Sequence, residues 1–308
     1  MFIDNGWYGG RYILSRYCNI KETEVLASIQ HGHHPINIKN LGRRRFSQIP
    51  WLVWNNKISE ISSRRGHSNV IPIGSVFLYM NKLNRSNLRK PRGTLVFPLL
   101  SHPEEESQTN YEKLIIYLKK NFPAPYTISV SVEDKIRIDK KIKKTKNLNF
   151  ICWGSRGDKK YLDKLINNIK KNQKVVCIYP GSPLIYSLYL KKKVYLLKNY
   201  FLCDEKNSRK VRETKRSCKK NLKDFESYGF DIKNLNNKKN IDIAKKMLGE
   251  EFIKKPSELI KLLGWDKFYK KLLAKILSKI IDLKEDFIHG YNYSKKRRIG
   301  KDFIWKKN

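Results

Sequence analysis

Acidic residues are scarce in this chain. Its 308 residues carry 28 Asp and Glu against 66 Lys and Arg, a formal net charge of +38. Two causes compete for that excess. One is an anionic partner: nucleic acid, a membrane surface or a phosphorylated substrate. The other is compositional drift toward Lys, Asn and Ile, and Asn234, Asn236, Asn237 and Asn240 do crowd among lysines. Charge alone is therefore weak ground for a nucleic-acid partner. Cysteine is also sparse. Cys18, Cys152, Cys177, Cys203 and Cys218 are odd in number and form no CxxC pair. That speaks against a disulfide framework and for a reducing compartment. No apolar run approaches the roughly 20 residues of a membrane span, and the first residues lack an apolar signal segment. A cytoplasmic protein is expected, either soluble or peripheral at the inner face of the cell membrane. Gly6, Gly9 and Gly10 follow no strand, so they match a dinucleotide fingerprint poorly.

What is present is a series of short apolar runs that end in small or polar residues. Val25 to Ile29 runs into QHGHHP at 30–35; WLVW at 51–54 stops at Asn55; VIPI at 70–73 stops at Gly74 and Ser75. Parallel strands whose carboxyl ends face one cleft have this pattern. Residues 81–93 are polar, basic and bounded by Pro and Gly, and they make a candidate linker. Strand-like runs then begin at 94, 126, 149, 174 and 194, with helical periodicity over 108–120 and 158–171. About five strands alternating with helices make one doubly wound unit. In the last βαβ unit, Pro180 and Gly181 break the strand, Ser182 is the expected N-cap and Pro183 the first helical residue. Backbone N–H groups there would form an anion site; the plainer alternative is an ordinary capped turn.

Three of the six histidines, His31, His33 and His34, lie within four residues at the end of the first run. Metal ligation, a structural loop role, and acid–base work in a cleft are all open to them. Arg64 and Arg65 either meet phosphates or are solvated loop residues. The chain after 199 is more helical. Cys203 to Lys223 reads as a mobile connection or a solvated helix. Residues 266–283 form the clearest tail helix, with Phe268, Tyr269, Leu272, Leu273 and Ile276 on one stripe. Such a stripe is expected to pack on its own domain; an interfacial helix on anionic lipid is the alternative.

The order QHG, LVW, I-G-S and a later Gly-Ser-x-x-x-Tyr turn before a lysine-ended helix resembles bacterial surface-polysaccharide glycosyltransferase-like proteins of the GT-B type, over about residues 25–200. The resemblance implies an α/β protein of two Rossmann-like domains facing across a cleft. Residues 1–90 would be a short acceptor-side domain and 91–200 the nucleotide-donor domain, with 201–308 a basic helical extension. It implies a nucleotide-sugar donor, a glycan or glycolipid acceptor such as polysaccharide or lipopolysaccharide, and no cofactor or bound metal. Gly181, Ser182 and Tyr186 would lie at the donor phosphates with Arg156 nearby. His102, in a His-Pro pair similar to that of bacterial sialyltransferases and Kdo transferases, would join them. His31 or His33 would be the catalytic base, and His34, Trp54, Gly74 and Ser75 would line the acceptor side. Transfer of a polyol phosphate from a CDP-activated donor, as in teichoic-acid polymerases, is the nearer rival. A non-catalytic basic nucleic-acid or membrane-surface binder is the other.

Overall fold

The computed structural model describes residues 6–32, 49–84, 90–98, 109–131, 134–135, 138, 146–154, 157–197 and 208–276, with side chains from 215 in the last span. His33, His34, His102 and Arg156 lie outside them, as do residues 85–89 of the candidate linker.

Two parallel sheets carry the fold. The first has three strands in sequence order, β1 (Ser28–Ile29), β2 (Trp51–Val53) and β3 (Val70–Pro72). The expected strand at Val25 to Ile29 is thus only two residues long. Leu26 leaves the ladder because its N–H donates to the Leu263 carbonyl at 2.9 Å. The second sheet has five parallel strands: β4 (Thr94–Phe97), β5 (Tyr126–Val130), β6 (Leu148–Cys152), β7 (Lys174–Cys177) and β8 (Lys193–Leu196). Their order is β6-β5-β4-β7-β8, so the winding reverses between β4 and β7. Alternating side chains serve two cores. Leu95, Phe97, Val175 and Cys177 face one cluster, while Val96, Val176 and Ile178 face the other. Helix α4 (Tyr111–Asn121) covers the second face with Leu114 and Leu118. Helices α5 (Tyr161–Lys171) and α6 (Ser182–Tyr189) cover the first, and that same core continues into the three-stranded sheet.

Around the first sheet lie α1 (Gly10–Tyr17), α2 (Asn56–Arg64) and α3 (Val76–Leu83). Helix α2 was not expected from the sequence. It offers few apolar residues, and buries Ser59 and Ser62 by bonding their hydroxyls to the carbonyls of Val70 (3.0 Å) and Ile58 (2.6 Å). It also corrects the phosphate option for Arg64 and Arg65. They are exposed at the end of a helix that returns the chain to the start of β3, away from the carboxyl ends of the strands. The Asp158 cap moves too: α5 begins at Tyr161, and Asp158 instead accepts from the Lys160 N–H at 2.8 Å.

The later chain is stitched to the earlier one. Helix α7 (Ser208–Ser227) takes up most of the stretch from Cys203 to Lys223 and is not solvated on all sides: Cys218, Asn221 and Phe225 are buried. Helix α8 (Lys238–Leu248) ends on the first sheet. Its final carbonyls would be orphans of the helix. Asn55 Nδ2 donates to Met247 O at 2.6 Å, and Ser75 N–H to Leu248 O at 2.8 Å. Gly249 then turns the chain at φ +71°, where a Cβ would stand 1.7 Å from the Trp54 carbonyl oxygen. After a short 3-10 turn at Glu250–Phe252 comes α9 (Pro256–Leu262). The Lys254 N–H donates to the Tyr79 hydroxyl at 3.0 Å, Cys18 Sγ to Pro256 O at 3.7 Å, and Trp265 Nε1 to Glu24 O at 2.8 Å. Among the described residues, no helix is long and apolar enough to cross a membrane.

Two predictions follow from this seam. Gly249→Ala combines a left-handed φ with a backbone overlap, so it should cost about 3–5 kcal/mol. Gly66→Ala, at φ +80° with nothing within 4 Å, should cost about 1 kcal/mol. Urea unfolding of the two variants gives the comparison, and equal losses would remove the close approach as the cause. Burial also pushes the Cys18 thiol from 9.0 to about 11. The thiol ionises earlier in the unfolded chain. Its stabilising contribution is therefore whole below pH 9 and is lost between there and about 11. Cys18→Ala should flatten the fall in urea midpoint across that window.

Candidate functional site

The junction between the two sheets gathers most of the described residues that the motifs singled out. From the first sheet comes the end of β1. Gln30 is 2% exposed. Its N–H continues the ladder to Leu52 O at 2.9 Å. Its side-chain oxygen accepts from the Trp54 N–H at 2.9 Å, and its Nε2 donates to Gly32 O at 2.8 Å. Trp54 Nε1 donates back to Gln30 O at 3.2 Å. Gln30 thus clamps the ends of β1 and β2 together and shapes the turn that carries His31. It went unsingled in the sequence because its main partner lies 24 residues away; the only local sign was a polar residue ending an apolar run.

His31 is half-buried beside Trp7, with ring centroids 5.1 Å apart and planes tilted by 34°. Trp7 belongs to a short 3-10 turn, Trp7–Gly9, seated against the other sheet's connections. Gly9, at φ +74°, has room for no side chain, since a Cβ would lie 2.3 Å from Lys159 O. Tyr8 packs on Tyr161, centroids 4.9 Å apart. Arg11 binds Glu22 (Nε–Oε1, 3.1 Å) and Glu24, and Lys159 reaches Glu22 at 2.6 Å. Burial works to raise the Glu22 pKa, but the hydrogen bonds from Lys159 and Arg11 outweigh it and hold the carboxyl below its ordinary range.

From the second sheet comes α6, which begins where the winding reverses. Gly181, not Ser182, is the N-cap, and no side chain caps the end. Gly181 is the last extended residue before the helix, and the Ser182 hydroxyl bonds to the Tyr186 hydroxyl one turn along. Pro183 contributes no N–H, and the N–H of Leu184 turns back to Gly181 O at 3.0 Å. This helix start therefore offers fewer donors than the usual four. The turn before it is held by α7: Asn221 Nδ2 donates to Pro180 O at 3.2 Å, and the Tyr179 and Ser217 hydroxyls meet at 2.8 Å.

The two halves touch. A Cβ on Gly32 would lie 3.7 Å from Ser182 Oγ. Tyr186 stacks flat on Phe77 of α3, centroids 4.1 Å apart and planes 2° from parallel, with Trp54 at 6.3 Å. Burial raises the Tyr186 hydroxyl well above the ordinary tyrosine value, against hydrogen bonds to Ser182 and Ser75. Ser75 also caps α3, accepting from the Phe77 N–H at 3.2 Å. Gly74, at φ +80°, lets Gly249 O approach, since a Cβ would be 2.9 Å from it. Of the residues singled out beforehand, His31, Gly181, Ser182, Tyr186, Trp54, Gly74 and Ser75 therefore meet at one junction. Trp54, Ser75 and Tyr186 are nearly fully buried and form its wall; His31 and Gly181 keep partial exposure. Among the described residues, no group of three or more His, Cys, Asp or Glu is placed to hold a metal.

Gln30→Leu keeps the volume but leaves the buried Trp54 N–H without its acceptor, so it should cost about 1–3 kcal/mol. Chemical denaturation checks this, and a change below a few tenths of a kcal/mol would show that the clamp is not needed.

No family model matches the chain, and no curated protein does. Among solved structures it is similar to one titled "Crystal Structure of TarM", at 16% sequence identity and a TM-score of 0.32. The match covers 82% of this chain and 53% of that one, so the chain spans about half the length of the structure it matches. At that level the likeness adds nothing to what the residues themselves say.

Proposed function

We propose that the chain is a glycosyltransferase of the GT-B type. It would move a sugar from a nucleotide-sugar donor to a cell-surface glycan or glycolipid, without a resident metal or cofactor. Residues 1–90 would supply the acceptor side and 91–200 the donor side. One observation carries the reading. In the turn that bears His31, a Cβ added to Gly32 would come within van der Waals reach of Ser182 Oγ at the start of α6. That start lies at the carboxyl edge where the order of the second sheet reverses, the place where open α/β sheets bind ligands. The motif resemblance adds support, since those of its named residues that are described meet there.

The reaction asks for two things. Charge developing on the leaving nucleotide must be stabilised. The start of α6 has few spare N–H groups, so most of that task falls to basic side chains, with Arg156 and His102 as candidates from the connecting segments. The acceptor hydroxyl must lose a proton. His31, with one flank on Trp7 and partial access to solvent, is the proposed base, and His33 and His34 are its neighbours in sequence. A buried wall of Trp54, Ser75 and Tyr186 would keep this turn in place while substrates exchange.

The test is a thermal-shift titration with CMP, CDP, UDP, GDP, UMP and ADP at moderate salt. Ser182→Trp, which wedges the Gly32–Ser182 approach, and His31→Ala are run beside the parent. One base should stabilise saturably, by about 2.7 kcal/mol at a hundredfold excess over Kd, and lose that effect in Ser182→Trp. His31→Ala should keep the shift but lose on the order of 10²–10⁴ in transfer rate. Turnover of CDP-glycerol with nucleotide sugars ignored would favour the polyol-phosphate rival. Equal shifts with every nucleotide, unchanged by Ser182→Trp, would sink the transferase reading and leave a polycation that collects anions.

A further inference from the structure

The helix that starts at 268 and is described to 276 presents its apolar side outward, against the expectation that it packs on its own domain. Phe268 is 81% exposed, Tyr269 59%, Leu272 47%, Leu273 43% and Ile276 47%, while Ala274 is 3% exposed. At about 100° per residue, those five side chains occupy an arc roughly 140° wide, and Ala274 points the opposite way. The helix therefore seats itself by its smallest residue, with Lys270 and Lys271 half-buried toward the protein. Its root is firm. Leu26 N–H donates to Leu263 O at 2.9 Å, Trp265 Nε1 donates to Glu24 O, and Lys270 Nζ pairs with Asp266 at 3.1 Å. Five of the eight large apolar side chains exposed among the described residues lie on this one face.

We propose that this face docks on an anionic lipid bilayer, with the helix lying in the headgroup plane. The apolar arc would enter the acyl boundary, and Tyr269 would keep its hydroxyl at the polar level. The charges decide between occupants. Lys271 and Lys275 border one edge of the arc and Lys270 the other. Lys270 is already paired with Asp266, but a second copy laid face to face would crowd Lys271 and Lys275 with like charge, whereas anionic headgroups neutralise them, each worth about 1 kcal/mol near such a surface. The chain as a whole, at +38, is attracted in the same sense. The proposal stands independently of the transferase reading.

The experiment is co-sedimentation of the full chain with vesicles of phosphatidylcholine alone and of phosphatidylcholine with phosphatidylglycerol, at moderate salt. The comparison variant is the triple Phe268→Ser, Leu272→Ser, Leu273→Ser, which keeps every charge. The parent should partition onto the anionic vesicles, and the triple variant should lose at least about tenfold. Phe268→Trp should gain fluorescence that acyl-brominated lipid quenches beyond the parent's own quenching. Equal partitioning of parent and triple variant would overturn the proposal, since net charge alone would then do the binding. So would an unquenched Trp at 268. A lower melting temperature in the triple variant would mean that the chain itself covers this face. A lipid-free dimer that the triple variant abolishes would mean that a second copy does. Either result would overturn the bilayer as occupant.

Discussion

The flat stack of Tyr186 on Phe77 is the contact on which the rest of the arrangement depends. An aromatic pair of this kind is worth about 0.5–1.5 kcal/mol beyond the area it buries, but its value here is positional. Phe77 is the second residue of the helix that follows β3, and Tyr186 lies one turn into the helix that follows β7. Pressing these rings together sets two helix starts, and so the carboxyl ends of two separate sheets, side by side. The tyrosine hydroxyl then has to find partners in a buried place. It finds one serine from each side, Ser182 and Ser75. Each serine stands at or beside a helix start, so the polar end of the stack locks the same two turns that the rings bring together.

Much of this was legible in short stretches of sequence. The eight strands lie within apolar runs that end in small or polar residues, and α8 ends where Gly249 follows its last apolar residue. Strand order was not legible, because nothing in β4 or β7 alone says which neighbours they choose. Helix α2 was invisible because Ser59 and Ser62 share its inner face with only Ile58 and Ile61, and a serine's partner carbonyl has no signature in composition. The Ser182 cap was misread by one residue. Gly181 is the last extended residue, and the serine hydroxyl bonds to a tyrosine on the same helix.

The tail helix shows a different limit. Periodicity identifies a stripe correctly and still says nothing about which side of the helix meets water. Here Ala274 and the half-buried lysine stems occupy the protein side, since long basic side chains can cover surface with their methylenes. The site has a comparable limit. The described residues that the motifs named do converge, but of the ones that hold them there, Gln30, Asn55 and Gly249 were read only as the ends of strands or of a helix, and Asn221 was not read at all. Each acts on a partner far along the chain.

The seating of Gly249 against Trp54 also sets a timetable. The carboxyl ends of β2 and β3 are covered by the end of α8, by Met247, Leu248 and Gly249. During synthesis at about 5–20 residues per second, the chain between Gly74 and Gly249 takes roughly 10–35 s to make. The five-stranded sheet emerges complete within that interval, whereas the three-stranded one, made first, has to wait for its cover. Of the two sheets, the one made earlier is therefore finished later, and its strand ends are the surface that a chaperone would meet.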